Sequence, residues 1–221
     1  PDGAMPMDTR LFDPGRGPTT GTVLATVQGV AERAVICSNF VMFRNAIWNK
    51  PASDPQRQSV QRLVSNILGW VDARELKKVL IIPSSRSTAD WNLHNTTGDY
   101  GLWALVLFMR AAGYTVDVYD YTNKSSFKPL DFQSYSIVVP LVGPSVDDAR
   151  RWSLLVPVLH TLIKGGMGMF CVYDAWPHAS LVELLRLYSI VPTAVHSVDA
   201  RTFNVDYIKQ FTGDHPIFDE V

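Results

Sequence analysis

The sequence predicts an α/β three-layer sandwich with a mainly parallel central sheet. Three observations point there. From residue 77 onward, apolar strand-like runs alternate with helical runs, the pattern that packs helices on both faces of a parallel sheet. KKVLIIPSS (77–85) is a continuous apolar run, as expected of a strand covered on both faces. Glycine ends the helical runs, at Gly113 and at Gly165-Gly166, where a helix closes before the next strand.

The elements follow in order. Residues 8–22 (DTRLFDPGRGPTTGT) are rich in Gly, Pro and Thr and lack periodicity, which predicts a loop. TVLATVQGV (22–30) and ERAVICSNFVMF (32–43) are β-branched and apolar, and predict strands. A loop spans 49–55. In 56–72, Val60, Leu63, Val64, Ile67, Leu68 and Val71 recur at helical spacing, which predicts an amphipathic helix.

The alternating part then begins. It reads as a strand over 77–85, a helix over 98–114 and a strand over 115–121. A strand over 135–142 follows. A helix spans 146–166, acidic at its start, ending in Lys-Gly-Gly, and kinked by Pro157. A strand at 167–174, a helix at 178–190 and a short extended piece complete the pattern.

The chain has 221 residues, 47% hydrophobic and 19% charged, enough for one large domain or two small ones. A formal net charge of −1 provides no global attraction to nucleic acid or to an anionic membrane. The densest basic pairs, Lys77-Lys78 and Arg150-Arg151, read as solvated helix ends. No apolar run approaches the roughly 20 residues of a membrane-spanning helix. Residues 1–7 (PDGAMPM) lack the basic start and apolar stretch of a signal peptide and read as a fusion scar. A cytoplasmic location is expected.

Two cysteines, Cys37 and Cys171, make no disulfide framework. Both sit in apolar runs. Cys171 is in mid-strand, facing opposite to Phe170 and Val172. A catalytic thiol needs an exposed turn, a base in reach and an oxyanion hole. The glycine-flanked elbow that supplies such a turn is missing around Cys171. Both cysteines are therefore expected in the core. The five histidines show no zinc-helix spacing and there is no Cys-x-x-Cys, so no metal site is expected. Gly165, Gly166 and Gly168 precede a strand, whereas a dinucleotide fingerprint follows one. No cofactor is expected.

Ligands of open α/β sheets sit at the carboxyl ends of the strands. There the sequence places Ser38-Asn39, Ser84-Ser85-Arg86, Gly143-Pro144 and Asp174-Ala175-Trp176. Two stretches are polar and aromatic beyond an ordinary loop. One holds Asp90, Trp91, His94 and Asp99; the other holds Asp174, Trp176 and His178. They are the candidate binding residues, expected at one sheet edge. The plainer reading is that the tryptophans cap the core and the acids cap helices.

Several segments carry a family likeness: KKVLIIPSS, GDYGLWALVLFMRAAGYTVDVYD, FQSYSIVVPLVGP, VLHTLIKGGMGMFCVYD and FTGDHPIFDEV. Over residues 22–221 the chain resembles the glutamine-amidotransferase-like (GATase-like), flavodoxin-like domains. Its pattern is similar to their non-catalytic branch, as in intraflagellar-transport proteins, gliding-motility transporter auxiliary proteins and the domain following the catalytic unit of site-one-type subtilisin proteases. The resemblance implies a permuted order, with the closing strands and helix (8–75) ahead of the first half (76–221) in a single domain over 8–221. The other arrangement is the tail of one such domain joined to the head of another. The family's nucleophile elbow is replaced here by Asp174-Ala175-Trp176, and its His-Pro-Glu by His215-Pro216-Ile217. The resemblance thus implies a catalytically silent module that binds a protein partner within a larger assembly. Two other functions fit the same residues. A hydrolase or lyase could pair Asp174 or Asp99 with His178 or His94. A carbohydrate-binding module could stack sugars on Trp91 and Trp176.

Overall fold

The structure is a computed structural model that describes residues 11–13, 17–19, 24–28, 31–37, 43–85, 101–142, 146–173 and 216–218. The strands are β1 (Leu11–Asp13), β2 (Gly17–Thr19), β3 (Leu24–Gln28), β4 (Arg33–Cys37), β5 (Lys78–Pro83), β6 (Thr115–Val118), β7 (Ile137–Val142) and β8 (Gly168–Tyr173). The helices are α1 (Asn45–Trp48), α2 (Pro55–Val71), α3 (Trp103–Ala111) and α4 (Ala149–Lys164). Short 3-10 turns lie at Tyr121–Asn123, Pro129–Phe132 and Pro216–Phe218.

The main sheet runs β3-β4-β8-β7-β5-β6. Five neighbouring strands are parallel, and β3 pairs antiparallel with β4 at one edge. Counted from β5, the parallel strands follow the doubly wound order 2-1-3-4-5 of a flavodoxin-like sheet. The fifth place is filled by β4, which comes earlier in the chain. Cys37, Val172, Leu141 and Pro83 lie in one row across four strands, so those strands end level.

Side-chain alternation divides the sheet into two cores. Val35, Cys37, Val79, Ile81, Val139, Leu141, Phe170 and Val172 face α2 and α3. Ala34, Ile36, Leu80, Ile82, Val138, Val142, Met169 and Cys171 face α4. All six apolar positions predicted for the α2 stripe are buried. The three-layer sandwich expected from the sequence is the fold observed.

Cap chemistry sets the helix starts. Asp54 accepts from the Gln56 and Arg57 amides, and Pro55 opens α2. Asp148 accepts from the Arg151 amide at 2.9 Å to open α4. Leu102 cannot cap α3, and Asn45 substitutes: its Oδ1 accepts from Ala104 N at 2.9 Å. Helix α4 continues through Pro157, and Thr161 Oγ1 donates back to the Pro157 carbonyl at 3.0 Å.

Several elements differ from expectation. Within the loop predicted at 8–22, β1 and β2 pair antiparallel; at three residues each they are too short to show strand alternation in the sequence. Helix α1 was unforeseen; at one turn it is too short to show periodicity. The predicted strand at 115–121 stops at Val118, and Asp120 turns the chain by accepting from the Thr122 amide at 3.0 Å. The described helix within 98–114 starts at Trp103. Arg150-Arg151 does lie in the first turn of a helix, whereas Lys77-Lys78 leads into β5. The helix predicted at 178–190 lies outside the described residues.

Candidate functional site

The carboxyl edge of the sheet has a switch point between β5 and β7. From there the chain winds outward through β6 in one direction and through β8 in the other. This is the position where doubly wound sheets take ligands. Here it is laced by the protein's own groups. Ser84 N donates to Leu141 O at 2.8 Å, extending the β5–β7 ladder by one residue. The Ser84 carbonyl accepts from Asp147 N at 2.9 Å and from the Tyr121 hydroxyl at 2.5 Å. Ser85 Oγ donates to Asp147 Oδ1 at 2.6 Å, and Asp148 N donates to the Tyr121 oxygen at 3.4 Å. Both serines are 1% exposed. The Tyr121 ring packs edge-on against Trp152, centroids 5.3 Å apart.

Electrostatics agree with a structural latch. Burial pushes the Tyr121 phenol up to about 12, with Asp147 and Asp148 adding to the rise and backbone amides opposing it. At neutral pH it remains protonated, a hydrogen-bond donor to the Ser84 carbonyl.

Cys171 is fully buried beneath α4, and burial, helped by Cys37, raises its thiol well above the ordinary range. A thiol held protonated is a poor nucleophile. Cys37 is equally buried but faces the α2 side. The core reading of both cysteines therefore holds.

All the sequence-predicted site residues, Asp90, Trp91, His94, Asp99, Asp174, Trp176 and His178, lie outside the described residues. So do Ser38-Asn39, Arg86 and Gly143-Pro144. The structure does place the strands that lead to the two candidate stretches. β5 and β8 run parallel on either side of β7 and end level with each other. Ile217, which follows His215-Pro216 in the sequence, is fully buried in the α2-side core, and its carbonyl accepts from Asn66 Nδ2 at 3.3 Å.

Sequence reasoning missed Tyr121, Asp147 and Asp148. In the sequence, Asp147-Asp148 at the start of the 146–166 run signals only a match to the helix dipole, and Tyr121 falls inside a strand-like run. Among the described residues, no three His, Cys, Asp or Glu side chains gather as a metal site. No described helix is long and apolar enough to cross a membrane. No family model matches the chain, and no curated protein or solved structure matches it either.

Proposed function

We propose that this chain is a non-catalytic, glutamine-amidotransferase-like domain in permuted order, serving as a protein-interaction or scaffold module of a larger assembly. The observation that carries this reading is the laced switch point. The crevice where a flavin or nucleotide would enter is spanned by bonds from Ser84 and Ser85 to Asp147 and Tyr121. Two features support it. A carboxylate in place of Ile217 would be an unpaired charge in an apolar core, which is costly. The sheet supplies its fifth parallel strand from β4, ahead of β5 in the chain, as a permuted order requires. Trp91 and Trp176 are the interface anchors in this reading, since aromatic residues on a rigid frame dominate binding energy. The partner is a protein, and the location is cytoplasmic, in keeping with two buried cysteines that form no disulfide.

The test uses the full-length native protein. Ammonia release from glutamine should stay at the uncatalysed rate. Binding to a partner isolated with the wild type should fall at least tenfold in Trp91→Ala or Trp176→Ala, with melting temperature unchanged. Turnover of any ester, amide or lyase substrate that is lost in Asp174→Ala or His178→Ala would replace this reading with an enzyme. Oligosaccharide binding that quenches tryptophan fluorescence would replace it with a sugar-binding module.

A further inference from the structure

Among the described residues, β6 is the last strand of the sheet. Thr115 N donates inward to Lys77 O, just ahead of β5, and Tyr119 N to Ile81 O on β5. In a parallel ladder the intervening even-numbered residues then direct their backbone groups outward. Val116 and Val118 therefore present N–H and C=O groups along the open edge. Such an edge is a template for another strand. It carries apolar material too: Val118 is 39% exposed and Leu107 on α3 is 49% exposed.

One side chain lies across this edge. Arg110, on α3, donates from Nη2 to the outward carbonyl of Val116 at 3.1 Å. Its guanidinium also sits over the Trp103 ring, 5.5 Å from the centroid. Trp103, Leu107 and Arg110 fall at i, i+4 and i+7, so they share one stripe of α3. The ring below and the carbonyl ahead hold the cation at the edge. Asp117 adds a second charge on the strand itself, where it accepts from the Tyr135 hydroxyl at 2.9 Å. In a symmetric antiparallel pairing of two β6 strands centred on Asp117, the two carboxylates would face each other, which opposes that register.

We infer that Arg110 guards the open edge of the sheet, occupying the Val116 carbonyl so that β6 of a second copy of this chain cannot add to it. The guanidinium blocks a ladder bond and places a hydrated charge where an incoming strand would lie. Strand addition would have to displace both.

The test compares wild type, Arg110→Met and Arg110→Met/Val118→Lys by sedimentation velocity over a concentration series, with thermal melts alongside. Methionine keeps the helix propensity and the stem but has no donor and no charge. Arg110→Met should self-associate at a concentration about tenfold lower than wild type. Adding Val118→Lys restores a charge to the edge, and should return association to the wild-type level without restoring any lost melting temperature. If Arg110→Met associates no more than wild type, Arg110 is not a guard. If Val118→Lys leaves the association intact, the contact lies elsewhere. Either result overturns the inference.

Discussion

The two ends of the parallel sheet are built differently. At the amino end the connections are short: residues 72–77, 112–114 and 165–167 join helix to strand. They are tied through main-chain carbonyls. Arg74 donates to Gly165 O at 2.7 Å and to Tyr135 O at 3.4 Å, and Gly168 N donates to Ser136 O at 2.8 Å. Lys164 pairs with the largely buried Glu32 at 2.8 Å, and Arg33 donates to Trp70 O at 2.9 Å. At the carboxyl end the described ties centre on the switch point. They combine main-chain bonds of Ser84 to Leu141 and Asp147 with the side chains of Tyr121, Ser85 and Asp147. The described connections at the amino end are thus short and cross-tied, whereas the carboxyl end is held at the switch point by the latch, the place where α/β folds keep their recognition chemistry.

Substitutions can break this contrast, and the largest effect belongs to the amino end. A Cβ on Gly168 would overlap the Val71 carbonyl oxygen and lie 2.7 Å from its carbon. Backbone cannot yield as a flexible side chain does, so Gly168→Ala should cost about 3 kcal/mol or more in urea unfolding. A cost under about 1 kcal/mol would show that the end of α2 can shift, and would weaken the claim of a rigid end. Next comes the core beneath the latch. Cys171→Ala should cost about 1–3 kcal/mol through a small cavity and leave partner binding by the folded fraction unchanged. Native Cys171 should also react slowly with thiol reagents at neutral pH; rapid stoichiometric labelling would contradict its burial.

The latch sets the third effect. Tyr121→Phe removes the donor to the Ser84 carbonyl and should cost about 1–2 kcal/mol. It should also change the alkaline profile. Folding raises Tyr121 and Tyr135 to about 12 and raises the Cys171 thiol, chiefly by burial, with a hydrogen bond to Asp117 adding at Tyr135. The unfolded chain ionises them from their ordinary values of 9.0 for the thiol and 10.0 for the phenols. Above that range the unfolded state binds fewer protons than the folded one, so stability declines as pH rises toward 12. Below it these groups add no pH dependence. Tyr121→Phe should make the alkaline decline shallower, as measured by urea midpoints from pH 8 to 11.

The smallest effect has the opposite sign. Lys77 holds φ at 51° and Glu75 at 56° in the turn before β5, a left-handed region that suits glycine. Lys77→Gly relieves that strain and should gain about 0.5–1 kcal/mol, less the entropy glycine adds to the unfolded chain. A loss instead would mean that the Lys77 side chain has a contact worth more than the strain.

What could be read from the sequence follows from how local each signal is. The α2 stripe is a pattern within 17 residues, and it appeared as written. The strand at 77–85 announced itself by a continuous apolar run, as coverage on both faces requires. The facing of Cys171 followed from period-two alternation alone. The pairing of β4 with β8 did not, because no local feature of RAVIC names its neighbour. The latch was hidden for the same reason: Tyr121 meets Ser84 across 37 positions, and Ser85 meets Asp147 across 62. The cap that Asn45 gives α3 is another case, since a sequence reading looks for the cap beside the helix it serves.

The seat of Ile217 has a consequence for how the chain is made. It joins a core whose α2 members were synthesised far earlier; Asn66 reaches its carbonyl across 151 positions. While the ribosome is still adding those residues, the apolar stripe of α2 lacks its last covering. The α2-side core can close only after residue 217 has emerged, so folding is completed late, and topology of this kind folds slowly. A nascent chain paused before that point would expose the stripe as a natural target for chaperones.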